Sequence, residues 1–583
     1  MTKLLDKINS PKDIKNLSIN ELNSLAQEIR DGIINRVNIV GGHLGPDLGI
    51  VEMTLAMHYV FNSPTDKIVF DVSHQCYPHK MITGRSRAFF NPLENKDISG
   101  YSNPAESEHD HFVIGHTSTS ISLATGLAKA RDLKNEKYNI IALIGDGSLS
   151  GGEAFEGLNN AATLNSNMII IVNDNEMSIA ENQGGLYNNL ELLRNTQGKA
   201  ENNFFKTFGY EYMYLEEGND IEKLIEIFNK VKDYEKPIVL HIRTLKGKGF
   251  QPAMDNKEWG HWTMPGILDE QKSRTPQGEC YESITTDFIL NKKAQKVPVV
   301  AISPATPGAT GFYKEFREKL GENYTDVAIA EQHAIGYASG LAANGARPVV
   351  AVLSSFIQRA YDQLSQDLAL NNNPATILVY WGGISPADMT HLGSFDIPLI
   401  CNIPNLVYLA PTCKEEYLAM LEWSTTQNEH SIAIRVPFGE FISTGVEDKT
   451  DYSILNKYKI LNKGEKVAII AAGNFFQLGE QVKELLATKG INATLINPIY
   501  LTGQDEELLN SLKENHKVVI TLESGVLDGG FGEKIARFYG DSDMKVLNFG
   551  GKKEFTDRVD MQELLNRYHL TPDLIVKDIE ELL

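Results

Sequence analysis

The sequence predicts an α/β protein of three domains, each built around a mainly parallel sheet. Three observations predict it. Short runs rich in Val, Ile and Leu recur between helix-like stretches. Those runs are nearly continuous rather than alternating, as strands covered on both faces must be. And 583 residues exceed what one hydrophobic core organises.

In chain order, the strand-like runs begin with NIIALIG from Asn139, MIIIVN from Met168 and IVLHIR from Ile238. VPVVAIS from Val297, RPVVAVL from Arg347 and TILVYW from Thr376 follow, then VAIIAAG from Val467 and KVVITLE from Lys517. Helical stretches such as GEAFEGLNNAATL from Gly152 and FFQLGEQVKELLATKG from Phe475 separate many of them. Strand, helix and strand at this spacing mean parallel α/β layers. Leu290–Val297 and Gly445–Gly464 are polar and read as linkers. The expected domains are therefore residues 1–290, 297–445 and 463–583.

Composition narrows the function classes. The formal charge is −21, with acidic residues spread along the chain, which argues against nucleic acid or an anionic membrane as partner. Cys76, Cys280, Cys401 and Cys413 form no CxxC pair, and buried thiols in a reducing cytosol are expected. The start MTKLLDKINS has neither an apolar core nor a cleavage site, and no apolar run approaches the ~20 residues that cross a bilayer. A cytoplasmic protein is the expectation.

The sharpest motif is Gly145–Asp146–Gly147–Ser148, directly after the strand Ile140–Ile144. About 25 residues later the next strand ends in Asn173–Asp174–Asn175. Both groups fall at the carboxyl ends of neighbouring parallel strands, where open α/β sheets bind ligands. Magnesium takes hard oxygens, usually one or two carboxylates with phosphate oxygens. Asp146 offers a carboxylate, Asn175 a neutral amide oxygen and Met177 a backbone carbonyl. The glycines let backbone N–H groups approach phosphates closely. A lone GDG is a common turn; GDG followed at this spacing by NDN is the signature of thiamine diphosphate held with Mg2+. Farther on, Glu331 stands at a strand end opening a helix, where the macrodipole alone favours an acid. An isolated Phe such as Phe356 is ordinarily core.

The chain resembles the 1-deoxy-D-xylulose-5-phosphate synthase family of the transketolase superfamily over essentially its whole length. The blocks that carry the resemblance are GGHLGPDLGIVEMTLAMHYVF, DKIVFDVSHQCYPHKMITGR, GHTSTSIS, GDGSLSGGEAFEGLNNA, NDNEMSI, IAEQHAIGYASGLA and FIQRAYDQL. The resemblance implies three transketolase-type domains: one for diphosphate and metal, one for the pyrimidine, and a C-terminal one that is chiefly structural and helps a homodimer. It implies a transferase that decarboxylates pyruvate and condenses the two-carbon unit with D-glyceraldehyde 3-phosphate, serving isoprene and thiamine biosynthesis. By position, Glu331 would activate the cofactor and Phe356 would stack on its pyrimidine. His74, Gly115, His116, Thr117, Gly147, Ser148, Asn175 and Phe250 would contact the cofactor, with Asp146, Asn175 and Met177 on the metal. His43, His261 and His391, with Asp388, would meet the reacting carbonyls and carboxylate; histidine suits that task because it gains or loses a proton near neutrality.

The departures bear on the acceptor. The family holds the acceptor phosphate with arginines of a D-R-A-G and an R-x-P-R-G stretch; Trp381 and Phe438 stand in their places, while Arg359 and Arg435 persist as substrate contacts. Leu353 and Phe250 replace family tyrosines, and the stretch after Ser178 is short. Losing two charged hydrogen bonds amounts to ~3–6 kcal/mol. Three outcomes are compatible with this: a clamp rebuilt from Arg359, Lys246 or Lys248; a different, less anionic aldehyde; or a chain that only binds the cofactor as a regulator. A transketolase-like transfer between sugars is the nearest catalytic rival.

Overall fold

The computed structural model describes residues 3–95, 97–266, 268, 278–437 and 441–583. Two compact units divide the chain: residues 1–274 with 328–330, and residues 275–327 with 331–583.

The first unit is built on a five-stranded, wholly parallel sheet in the order Lys67–Phe70, Ile140–Gly145, Met168–Asp174, Pro237–Arg243, Glu211–Leu215. Its apolar runs divide by alternation between two cores. Ala142, Ile144, Ile170, Val172 and Val239 pack on one face with Ile121 and Leu158. Ile141, Leu143, Ile169, Ile171 and Leu240 pack on the other with Met53 and Phe228. A run that is apolar at every position is therefore what a doubly covered strand requires.

The second unit carries two sheets. One has six parallel strands in the order Leu406–Leu409, Ser431–Pro437, Thr376–Gly382, Arg347–Leu353, Val299–Ser303, Tyr324–Asp326. The other runs Lys459–Asn462, Thr494–Asn497, Lys466–Ala471, His516–Val526, Lys545–Gly551, with only the first pair antiparallel. One apolar cluster joins them, from Ile302, Val350 and Tyr408 through to Ile470 and Val519.

Two expectations need correction. The helix Tyr281–Ala294 runs through most of the segment Leu290–Val297 that reads as a linker, because Ile284 and Ile289 give it an apolar face and its late lysines suit a helix C-terminus. Within Gly445–Gly464, Tyr452 and Tyr458 are buried in the unit's cores and Lys459–Asn462 is a strand, so the segment is packed rather than loose. The four cysteines are free; Cys76 and Cys413 are buried, and Cys280 and Cys401 half-buried. Among the described residues no helix is long and apolar enough to cross a membrane.

Candidate active site

In the first unit the strand Ile140–Gly145 delivers Asp146 to the carboxyl end of the sheet, and the strand Met168–Asp174 delivers Asn175 beside it. The two ends are stitched together: Asp146 N–H donates to the Asn173 carbonyl at 3.1 Å, and Asn175 N–H hydrogen-bonds Asp146. Asp146 is 1% exposed, yet its Oδ1 has no hydrogen-bond partner, and neither has the buried Oδ1 of Asn175. Buried polar atoms are normally paired. Burial, then the neighbouring charge of Asp174, pushes the Asp146 carboxyl up to about 7. Lys246 lies in the same corner, 1% exposed, donating to the Ser178 carbonyl at 2.6 Å, and burial lowers its ammonium to about 7. Among the described residues no cluster of three or more His, Cys, Asp or Glu could cage a metal. One acid, one amide and an adjacent cation instead suit a hard metal that brings its own anionic oxygens, as with a diphosphate. These residues fit the group.

Of the motif's two glycines one is tight, while a Cβ on the other, Gly145, would meet nothing within 4 Å. A Cβ on Gly147 would meet the Ser178 backbone at 3.0 Å. Met177 forms a one-residue antiparallel bridge with Glu181, which fixes its backbone. The loop Gly115–His116–Thr117 leads into Ser118, whose N–H donates to Asp71 Oδ1 at 2.8 Å and whose hydroxyl donates to the Ser148 carbonyl at 2.8 Å. That bond ties the two predicted cofactor loops to each other.

Three predicted histidines converge. Gly42–His43 pairs antiparallel with Trp262–Thr263, which sets His43 against His261 with ring centroids 5.4 Å apart. His74 lies 4.9 Å from His43 and 5.5 Å from His261. Val72 (φ 58°) and Ser73 (φ 61°) adopt left-handed backbone just before it. A β-branched residue there is strained, and such strain clusters at working sites. Burial, then the charge of Lys246, depresses the His74 imidazole to about 3. Sequence reasoning missed Tyr101, which packs its ring 5.9 Å from His43. A single aromatic in a loop carries no periodic signal.

In the second unit Glu331 is the first residue of the helix Glu331–Ala343 and is 4% exposed. Burial raises its carboxyl, against the pull of Arg359, whose guanidinium lies 3.5 Å away. Phe356, on the turn before Arg359, meets His391 edge-on at 5.5 Å. His391 Nδ1 lies 2.8 Å from Thr390 Oγ1 and 3.4 Å from Asp388 Oδ1, which also accepts from the Thr390 hydroxyl. Against its desolvation, these contacts hold Asp388 down to about 2. Glu331 with Arg359, and Phe356 with His391 and Asp388, thus form two sets of contacts, linked in sequence by the turn 356–359.

Three of the residues singled out in the sequence have partners within the fold. Arg435 is not an open substrate cation: 3% exposed, it donates to Asp396 through Nε (2.6 Å) and Nη2 (2.9 Å), and to the Ser524 carbonyl at 2.6 Å. Lys248 is engaged by Glu52 at 2.8 Å and the Asn219 carbonyl at 3.1 Å. Phe250 packs against the apolar cluster of Leu22, Ile29 and Ala253. Trp381 (φ 60°) is 38% exposed, and Leu353 is buried in the strand core. Phe438 lies outside the described residues.

Comparison with known proteins adds three domain-level matches. A family model described as 1-deoxy-D-xylulose-5-phosphate synthase matches residues 5–201 and 193–244. The transketolase pyrimidine-binding domain matches 289–440, and the transketolase C-terminal domain matches 456–575. The 1-deoxy-D-xylulose-5-phosphate synthase of Clostridium tetani is 37% identical, covering 100% of both chains. A synthase of the same description from Geobacter metallireducens is 37% identical over 98% of both. The transketolase structure of Campylobacter jejuni aligns with 97% of this chain at 15% identity and a TM-score of 0.45.

Proposed function

Because the chain belongs to the 1-deoxy-D-xylulose-5-phosphate synthase family, we propose that it decarboxylates pyruvate and joins the two-carbon unit to an aldehyde, with D-glyceraldehyde 3-phosphate the first candidate. It is a transketolase-type transferase that uses thiamine diphosphate with Mg2+. The observation that carries the site assignment is the pair of buried, unpartnered oxygens on Asp146 and Asn175. The homodimer and the division at 1–290, 297–445 and 463–583 belong to the same proposal.

When bound, the cofactor would supply the electron sink that decarboxylation requires. The chain's own residues would do the rest. Asp146, Asn175 and the Met177 carbonyl would hold the cation, and the loops at Gly115–Thr117 and Gly147–Ser148, with His74, would hold the cofactor. Glu331 would exchange a proton with the pyrimidine ring, a task helped by a buried carboxyl raised from its usual range. Phe356 supports that ring. His43, His261 and His391 move protons at the carbonyl oxygens, and Asp388 fixes the His391 ring. Arg359 offers positive charge to a carboxylate or phosphate.

A second reading, a less anionic aldehyde, is favoured by Trp381 and by the commitment of Arg435 to Asp396. Both readings meet in one experiment: pyruvate turnover with D-glyceraldehyde 3-phosphate set against unphosphorylated and longer aldehydes. Efficient use of the phosphorylated acceptor, with none better, defeats the second reading; no turnover with any acceptor defeats both. Glu331→Ala should abolish C2 proton exchange on the bound cofactor, and unchanged exchange removes Glu331 from its role.

A further inference from the structure

The short segment after Ser178 wraps the metal loop. Asn182 Nδ2 donates to Asp146 Oδ2 at 2.6 Å. The Tyr187 hydroxyl donates to the carbonyls of Asp146 (3.2 Å) and Gly147 (3.3 Å). Arg194 closes on Asp174 Oδ2 at 2.6 Å, opposite His241 at 2.8 Å. The helix Gly185–Asn195 carries both Tyr187 and Arg194. Of these contacts, the one from Asn182 falls on the carboxylate itself. An ionised carboxylate only accepts, so the amide must turn its N–H2 edge to Asp146. That leaves the Asn182 carbonyl oxygen buried without a hydrogen-bond partner, as are Asp146 Oδ1 and Asn175 Oδ1.

We propose that Asn182 is a positioning residue for the cation: its amide N–H holds Asp146 Oδ2 so that Oδ1 faces the metal, and its own carbonyl oxygen accepts from a water on the ion. The inference rests on the reading of Asp146 and Asn175 given above. It follows from two general facts. Metal-binding carboxylates are oriented by hydrogen bonds to their second oxygen, and removing such a bond weakens metal affinity by about 10–100-fold. Magnesium also keeps several of its waters, which need acceptors. A plain loop staple would use both ends of the amide on the protein; here only one end is used.

The test is calorimetric titration of Mg2+ into the full-length apo-protein at fixed thiamine diphosphate, with thermal unfolding of each apo variant alongside. Asn182→Ala should raise the Mg2+ Kd about 10–100-fold while leaving apo Tm within error of wild type. Asn182→Asp keeps the shape but loses the donor and sets a second negative charge against Asp146. Its Kd should also rise, and equal or tighter Mg2+ binding by this variant overturns the assignment even if Asn182→Ala fails to fold. A drop in apo Tm with an unchanged Kd makes Asn182 a staple and also overturns it. Asp146→Asn is the control that separates the two claims. If it loses binding while Asn182→Ala does not, only Asn182 is misassigned; if both bind as wild type, the metal reading itself falls.

Discussion

Two buried acid and base corners, one in each unit, reach opposite states. In the second unit Asp396 and Arg435 form a two-bond ion pair at 2.6 and 2.9 Å, completed by Tyr408 on the acid and the Ser524 carbonyl on the guanidinium. Desolvation is outweighed by that partnership, and Arg435 is held above its ordinary value. In the first unit Asp146 and Lys246 share a corner without such a bond. The acid is pushed up to about 7 and the base down to about 7, each chiefly by burial. A pair whose protons and charges are settled by its own neighbours is architecture. A pair left with unsatisfied atoms is a site whose charge balance needs another molecule.

Asp146→Asn breaks this comparison most severely. Mg2+ affinity in the presence of thiamine diphosphate should fall at least about 100-fold, measured by titration. Stability of the apo-protein should move the other way. The folded carboxyl titrates near 7 against 3.8 in the reference state. It is a raised acid, so its contribution to stability is full below about pH 4 and lost as pH rises through 7. That loss is on the order of 4 kcal/mol, and the asparagine should abolish it. Apo stability followed by urea unfolding from pH 5 to 8 should therefore decline in wild type and flatten in the variant. Equal slopes would mean that Asp146 is not a charge held out of balance.

Arg435→Met tests the finished corner. Stranding Asp396 should destabilise the second unit by about 3–5 kcal/mol in denaturant unfolding. KM for a phosphorylated acceptor, measured on the folded fraction, should be unchanged. A stable variant with a raised KM would restore Arg435 as a substrate contact and dissolve the distinction between the two corners.

What could be read in advance follows the range of the physics involved. The parallel sheets were legible because double burial makes a strand apolar at every position, as Ile140–Ile144 and Met168–Val172 are. Asp146 and Asn175 were legible because the spacing of two strand ends is itself a sequence distance. The partnership of Arg435 with Asp396 was not, since the acid stands 39 residues away on another element. The contacts of Asn182 and Tyr187 with Asp146 were equally hidden: a loop amide and a helix tyrosine look the same whether they meet solvent or a buried turn. Leu290–Val297 misled for a local reason, because a helix ending in lysines is as polar as a linker.

Asp388 sharpens the comparison, because it is settled like Asp396 yet stands with His391 and Phe356. Its carboxyl is held to about 2 despite desolvation, by the His391 ring and by Thr390. A lowered acid contributes stability that is present above about pH 4 and lost as pH falls through 2. From 3.8 to about 2, that is roughly 2 kcal/mol. Asp388→Asn should remove this amount at pH 6, with wild type and variant converging near pH 2 in urea unfolding. A settled acid can still serve catalysis if what it settles is the orientation of a neighbour. The discriminating readout is therefore the split between kcat and KM, measured on the folded fraction. If Asp388 orients His391, kcat should fall in Asp388→Asn while KM for pyruvate holds, and Asp388→Glu should recover part of the loss. If kcat of the folded fraction matches wild type, Asp388 belongs with Asp396 as architecture, and the line between the two kinds of corner runs beside His391.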